Sequence, residues 1–359
     1  MTVVWITITV IAILIGAFFT YTGYQINQIP TMSFEDMLLY TTNKNEKVVI
    51  AVGVIQNGET SYTIYGENGK QLPMDKHVYE IGSLTKTFTT ALLFKAIGEG
   101  KIKLDDRIDE YLDLPIKDSY PTIRSLITHT SGYKSHYLER QMISNFFQGR
   151  NSFYRISQTE LLKRVGKIDL NDREKGFEYS NFGMAVVGAL LSKVYDKDYA
   201  VLIDEYITTE LGLSDTRISD GSGDLGNYWD WEENDAYMAA GALTSTIEDI
   251  LKYAELQLNE TPKYLADTHK TIVEVNATTK TNAKMNINID AVGGGWMIDK
   301  QNNIIWHNGG TDDYNCYLGF DPQNKIAVVI LSNLAPGYRI PATVMGIKLL
   351  TDIQKEQNR

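Results

Sequence analysis

The chain has 359 residues, 43% of them hydrophobic, enough to bury one large core or two modest ones, so a single unit with two lobes is expected. A formal net charge of −11, with no Lys/Arg run to offset it locally, argues against nucleic acid as a partner. Cys316 is the only cysteine, which excludes an internal disulfide, and its setting YNCYLGF reads as a strand in which a small apolar residue packs.

From Val3 to Tyr24 no residue is charged, and VVWITITVIAILIGAFF is long enough to cross a ~30 Å hydrocarbon core as a helix rising about 1.5 Å per residue. A cleaved signal peptide is the competing reading, but it would open on Lys or Arg and end on small residues. Here the first charge is Glu35 and the first basic residue is Lys44. The expectation is a single-pass transmembrane anchor over residues 1–27, followed by one domain over 28–359. Without flanking Lys/Arg the span itself does not set the orientation.

After the anchor, VVIAVGVIQNGETSYTIYG reads as two strands joined at Asn57-Gly58, a strong hairpin signal. Apolar residues then recur at helical spacing from about Leu84 to Gly98, which places Ser83 at the N-cap or in the first turn. The middle, about 105–255, carries helical patches such as ISQTELLKRVGK, GMAVVGALLSKVY and STIEDILKYAELQL and is expected to form a mostly helical lobe. Beyond about 285 the pattern returns to strands in GGGWMID, NIIWH, YNCYLGFD and KIAVVILSN, with a last helix from about Thr343 to Gln354. Strands at both ends with helices between imply one antiparallel sheet, about 45–100 and 285–359, flanked by helices and carrying the inserted lobe, with a cleft between. No zinc-type spacing, phosphate loop, H-E-x-x-H or repeat is present, so no metal or cofactor is expected.

Three short elements carry chemistry. Ser83 and Lys86 form S-x-x-K, and three residues apart on a helix they share one face. A serine hydroxyl needs a neighbour to take its proton, and the partial positive charge of a helix N-terminus favours lysine in its neutral, basic form. A lone S-x-x-K is usually a solvated helix face, but this one lies where Ile81-Gly82 permits a tight strand-to-helix entry. Tyr179-Ser180-Asn181 stands at the foot of an apolar helix. Tyr179 offers a phenol to share a proton with Lys86 and Asn181 an amide for a substrate carbonyl, while the plainer reading is a helix cap by Ser180 or Asn181. His307-Asn308-Gly309-Gly310 lies between two strands, where its glycines allow close approach of a substrate backbone.

In that order, S-L-T-K, Y-S-N and H-N-G resemble the class C β-lactamase and penicillin-binding-protein family of serine hydrolases. Supporting segments are LITHTSGY at 126–133, AAGALTSTIEDILKY at 239–253 and GGGW at 293–296, so the likeness covers about 45–355. The resemblance implies an α/β, β-lactamase/transpeptidase-like fold and an acyl-enzyme at Ser83. It implies Lys86 and Tyr179 as base and acid, an oxyanion hole of the Ser83 and Gly310 N–H groups, and Asn181, His307 and Gly309 against the substrate. His129 and Tyr133, in the LITHTSGY loop, are expected to be structural first.

His307 stands where the family's β-lactamases carry lysine, is similar there to the family's D,D-peptidases and esterases, and so speaks against lactam hydrolysis; Lys175-Gly176 and Asn308, where proline-glycine and threonine are usual, point to a remodelled pocket. His307 is open to two readings, an imidazolium that meets a substrate carboxylate or a neutral ring pushed that way by burial beside Lys86. The expected function is an extracytoplasmic, membrane-held hydrolase of D-alanyl peptides or esters of the bacterial cell envelope, its substrates peptidoglycan- or teichoic-acid-type molecules. A general esterase, a β-lactamase and a penicillin-binding sensor are the alternatives.

Overall fold

The computed structural model describes residues 28–170 and 176–357. The expected transmembrane anchor lies outside the described residues, as does Lys175. Among the described residues no helix is long and apolar enough to cross a membrane.

Helix α1 (Phe34–Thr42) opens the domain behind a capping box, in which Ser33 and Asp36 each accept the other's backbone N–H. Strands β1 (Ile50–Gln56) and β2 (Glu59–Tyr65) follow as a hairpin. Its turn residues Asn57 and Gly58 both lie at positive φ, 54° and 78°, the backbone that matches strand twist in a two-residue turn. After β3 (Tyr79–Glu80) a single 3₁₀ turn, Gly82–Leu84, leads into α2 (Thr85–Gly98).

The inserted lobe carries helices Arg140–Gln148, Gln158–Val165, α3 (Asn181–Tyr195) and α4 (Met238–Gly241), and α5 (Ile247–Asn259) returns to the sheet. It is not helical throughout, because β4 (Arg217–Ile218) and β5 (Leu243–Ser245) join β3 in a second, three-stranded sheet of order β3-β5-β4. Strands of two or three residues are too short to leave an alternating pattern in the sequence.

The chain then adds β6 (Val273–Glu274), β7 (Ala291–Val292), β8 (Met297–Asp299), β9 (Ile304–Gly310), β10 (Asn315–Asp321) and β11 (Ile326–Ser332), closing with α6 (Ala342–Gln357). Among the described residues eight strands form one antiparallel sheet of order β2-β1-β11-β10-β9-β8-β7-β6, so strands from both ends of the domain lie side by side. GGGWMID, expected as one strand, divides: Gly293–Trp296 is the turn between β7 and β8. Gly295 sits there at φ 75°, and a Cβ on it would come within 2.5 Å of Thr90 Oγ1 of α2, so the turn depends on glycine.

The sheet is covered on both faces, which explains why KIAVVILSN reads as an unbroken apolar run. Ile326, Val328 and Ile330 pack with α1 and α6, while Ala327, Val329 and Leu331 pack with α2, α5 and the helical lobe. β9 therefore lies between two cores with its last residues at the junction of sheet and lobe, which is where Ser83 also arrives.

Candidate active site

Gly82 makes the corner on which the site is built. It holds φ +46°, and a Cβ on it would lie 2.6 Å from the Gly310 nitrogen and 2.7 Å from the Gly310 oxygen. The absence of a side chain lets the 3₁₀ turn lie directly against the end of β9, so the Gly310 amide stands beside the residue preceding Ser83. Ser83 is half-buried at this junction.

Lys86 projects from the first turn of α2 and is completely buried. Its Nζ lies 2.8 Å from Ser83 Oγ and donates to the Ala240 carbonyl of α4 at 2.6 Å. Burial holds its pKa well below the usual lysine range, which favours the neutral form that can accept a proton. With an N–H directed at Ala240, the nitrogen lone pair is available to the serine hydroxyl.

Tyr179 completes the group: it hydrogen-bonds Ser83, and the centre of its ring is 5.0 Å from Lys86 Nζ. Burial pushes its pKa above the ordinary phenol value, so near neutral pH it is a phenol and can pass a proton. Ser180 takes the capping task, its Oγ accepting Gly183 N–H at 2.8 Å, and Asn181 begins α3 half-buried with its amide released from that duty. The cap and the chemical reading of this triplet thus fall on different residues.

His307 is buried in β9, 6.1 Å from the Tyr179 ring centre to centre. Its Nδ1 lies 2.6 Å from the Asn308 carbonyl, which can only accept, so Nδ1 carries the proton and donates. Burial foremost pushes its pKa down to about 3. Of the two readings of His307, these surroundings favour the neutral ring. Its Nε2 is buried without a hydrogen-bond partner among the described residues. Asn308 is exposed, while a Cβ on Gly309 would overlap the Ile81 carbonyl oxygen and come within 2.8 Å of Cys316 Sγ. Cys316 is packed as expected: its thiol donates to that same carbonyl at 3.1 Å, and burial pushes its pKa up to about 12.

The profile of the Beta-lactamase family matches residues 41–343. The chain belongs to the beta-lactamase family. Among its relatives is Protein flp of Staphylococcus aureus strain MW2, 25% identical over 320 residues, a match covering 82% of this chain and 59% of that protein. This chain therefore spans little more than half the length of the first curated relatives it matches. A Beta-lactamase of Pseudomonas fluorescens is 25% identical over 327 residues, covering 79% of this chain and 88% of that one. Among solved structures, a beta-lactamase/D-alanine carboxypeptidase from Yersinia pestis superposes with a TM-score of 0.68 at 19% identity, over 93% of this chain and 99% of the other. An octameric penicillin-binding protein homologue from Pyrococcus abyssi gives 0.67 at 20% identity, over 86% and 73%. These two likenesses establish the fold.

Within this beta-lactamase-family site, two contributors were not assigned a role from the sequence, and a third was expected only to be structural. The Ala240 carbonyl anchors Lys86, and a backbone oxygen leaves no residue signature; only the surrounding segment AAGALTSTIEDILKY marks the place. Glu80 is buried three residues before Ser83, accepting Trp229 N–H and the Thr311 hydroxyl, each at 2.6 Å. It ties the strand before the serine to the residue after Gly310, and burial raises its pKa to about 7. The third is His129, which contacts the Tyr179 segment directly.

Proposed function

We propose that this chain is a membrane-tethered, extracytoplasmic serine hydrolase that cleaves D-alanyl peptides or esters of the bacterial cell envelope through an acyl-enzyme on Ser83. The observation that carries this reading is the neutral, buried Lys86 amine 2.8 Å from Ser83 Oγ. In this scheme Lys86 takes the hydroxyl proton as Oγ attacks the substrate carbonyl, and the N–H groups of Ser83 and Gly310 hold the oxyanion. The Tyr179 phenol delivers a proton to the leaving group, Asn181 meets a substrate amide or carbonyl, and water then attacks the acyl-enzyme along the same route in reverse.

A fluorophosphonate added to purified residues 28–359 is expected to form one covalent adduct, mapped by peptide mass spectrometry to Ser83. An unlabelled chain, or a label elsewhere, would remove Ser83 from the mechanism. Turnover is read separately with D-alanyl-D-alanine peptides, D-alanyl esters and nitrocefin, because a penicillin-binding sensor would take up one β-lactam per chain and release no product.

The state of His307 supports esters within this substrate class. With Nδ1–H directed at Asn308, the ring turns a bare Nε2 lone pair to its surroundings and supplies no positive charge for a substrate carboxylate. KM for a D-alanyl-D-alanine peptide, whose free carboxylate an imidazolium would bind, is expected to stay flat between about pH 6 and 8, and His307→Lys to bring no gain. A KM that climbs across this range and is rescued by lysine would show that the ring binds as an imidazolium. The Yersinia neighbour is described as a beta-lactamase/D-alanine carboxypeptidase, a description that covers both D-alanyl substrates and the β-lactam alternative.

Tethering rests on the uncharged run from Val3 to Tyr24. The whole chain is expected in the membrane fraction, and removal of residues 1–27 should release a soluble, active domain. Full-length expression that delivers the protein to the medium with a new N-terminus near residue 25 would replace the anchor with a cleaved signal.

A further inference from the structure

Tyr179 lies in a segment outside any helix or strand, yet its phenol must stay on Ser83 through every proton transfer. The residues around it rest on the loop after helix Ile123–Ile127. Ser180 Oγ donates to the Lys134 carbonyl at 2.8 Å, and Phe182 N–H to the Ser135 carbonyl at 2.9 Å. One residue of that loop reaches Tyr179 itself. His129 stands at φ +57°, in the left-handed region that side chains other than glycine seldom occupy. So turned, its carbonyl accepts Glu178 N–H at 2.8 Å and its Nδ1 accepts Ser180 N–H at 3.2 Å. Its ring lies 4.5 Å from the Tyr179 ring, centre to centre, and 6.0 Å edge-on from Phe177.

Both N–H groups flanking Tyr179 therefore end on one histidine, whose ring also packs against the phenol ring. We infer that His129 is a positioning residue for Tyr179, holding the phenol at Ser83 by accepting the backbone N–H on either side of it. The role requires Nδ1 to be an acceptor, hence a neutral ring with its proton on Nε2. The surroundings supply that state: burial holds the imidazole well below its ordinary pKa. The left-handed backbone has a part as well, because it aims carbonyl and ring at the same segment.

The inference rests on the proposed proton-carrying role of Tyr179, and the test separates the two. With phenyl acetate as the probe, whose leaving phenoxide needs a proton near neutral pH, His129→Phe keeps a ring and removes the acceptor, and is expected to lower kcat at least about tenfold with KM within about twofold. His129→Asn offers an oxygen near Nδ1 and tolerates the left-handed backbone, and should recover most of that loss. In a Tyr179→Phe background His129→Phe should cost almost nothing more, since residues acting through one another are not additive. An undiminished cost in that background, or equal losses in the Asn and Phe variants, would overturn the inference. Tyr179→Phe with wild-type kcat would instead overturn the role of Tyr179, and the inference with it. Should His129→Phe fail to fold by circular dichroism, ¹⁵N-histidine NMR of the wild type, assigned with His129→Asn, reads the tautomer without any activity. A proton on Nε2 supports the inference, and a proton on Nδ1 refutes it.

Discussion

Replacing Lys86 by alanine is expected to lower kcat by at least ~10²-fold, and Tyr179→Phe by a similar factor, the range in which general acid–base groups contribute. Lys86 Nζ lies 2.8 Å from Ser83 Oγ, placed to accept its proton, and the group holding Lys86 is a carbonyl, not a carboxylate that would keep it charged. Stability should respond quite differently from activity. The folded-state pKa of Lys86 is depressed, so its contribution to stability is fully present only above the unfolded lysine pKa of about 10.4 and falls as pH drops toward the folded value. At pH 7 the wild type therefore bears the cost of burying this amine uncharged. Lys86→Met, apolar and similar in length, removes that cost and leaves only the Ala240 carbonyl unpaired, a loss of about 1–3 kcal/mol. A melting temperature near wild type with kcat down ~10²-fold is the expected pair of results. A variant that keeps wild-type kcat would dismiss Lys86 as the base.

Gly309→Ala should be comparably severe through geometry alone. Its new methyl group would overlap the Ile81 carbonyl oxygen, which is backbone and cannot swing aside as a side chain could. β9 would have to retreat from the turn carrying Ser83, taking Gly310 with it. A shift of about 1 Å at a catalytic centre can cost ~10²-fold, so kcat should fall by that order. Overpacking of this kind also typically destabilises by about 1–3 kcal/mol, visible as a lower melting temperature. Gly58→Ala is the control: Gly58 has a positive φ but nothing within 4 Å of a Cβ, so strain there is local and kcat should be untouched. Equal kcat for Gly309→Ala and the wild type would show that β9 yields without moving the oxyanion position.

What could be read from the sequence follows the range of the interactions involved. Ser83 and Lys86 share a helical turn, and three-residue spacing is local geometry, so their contact was accessible from residue types alone. The hairpin at Asn57-Gly58 was readable for the same reason. Tyr179 and His307 come to Ser83 from 96 and 224 positions away along the chain, and no periodicity links them; the family resemblance did. Three features left no trace: the left-handed backbone of His129, the Ala240 carbonyl and the two-residue strand β3. The turn Gly293–Trp296 was misread as strand because an apolar, glycine-rich run has no signal for φ +75°, which only the tertiary contact with Thr90 demands.

The pairing of β1 with β11 has a consequence for how the chain is made. The bond from Val49 N–H to the Asn333 side chain joins residues 284 positions apart, and the sheet ladder beside it runs from Ile50 opposite Ser332 to Ile55 opposite Ala327. While a ribosome is still synthesising the middle of the chain, the β1 edge has no partner, and its apolar residues wait for a strand not yet made. Closure of such distant contacts is slow, and an open strand edge recruits other chains in the meantime. A message truncated anywhere before β11 would thus yield a hairpin with an unmet edge, and the product should be found in aggregates or in the hands of chaperones and proteases.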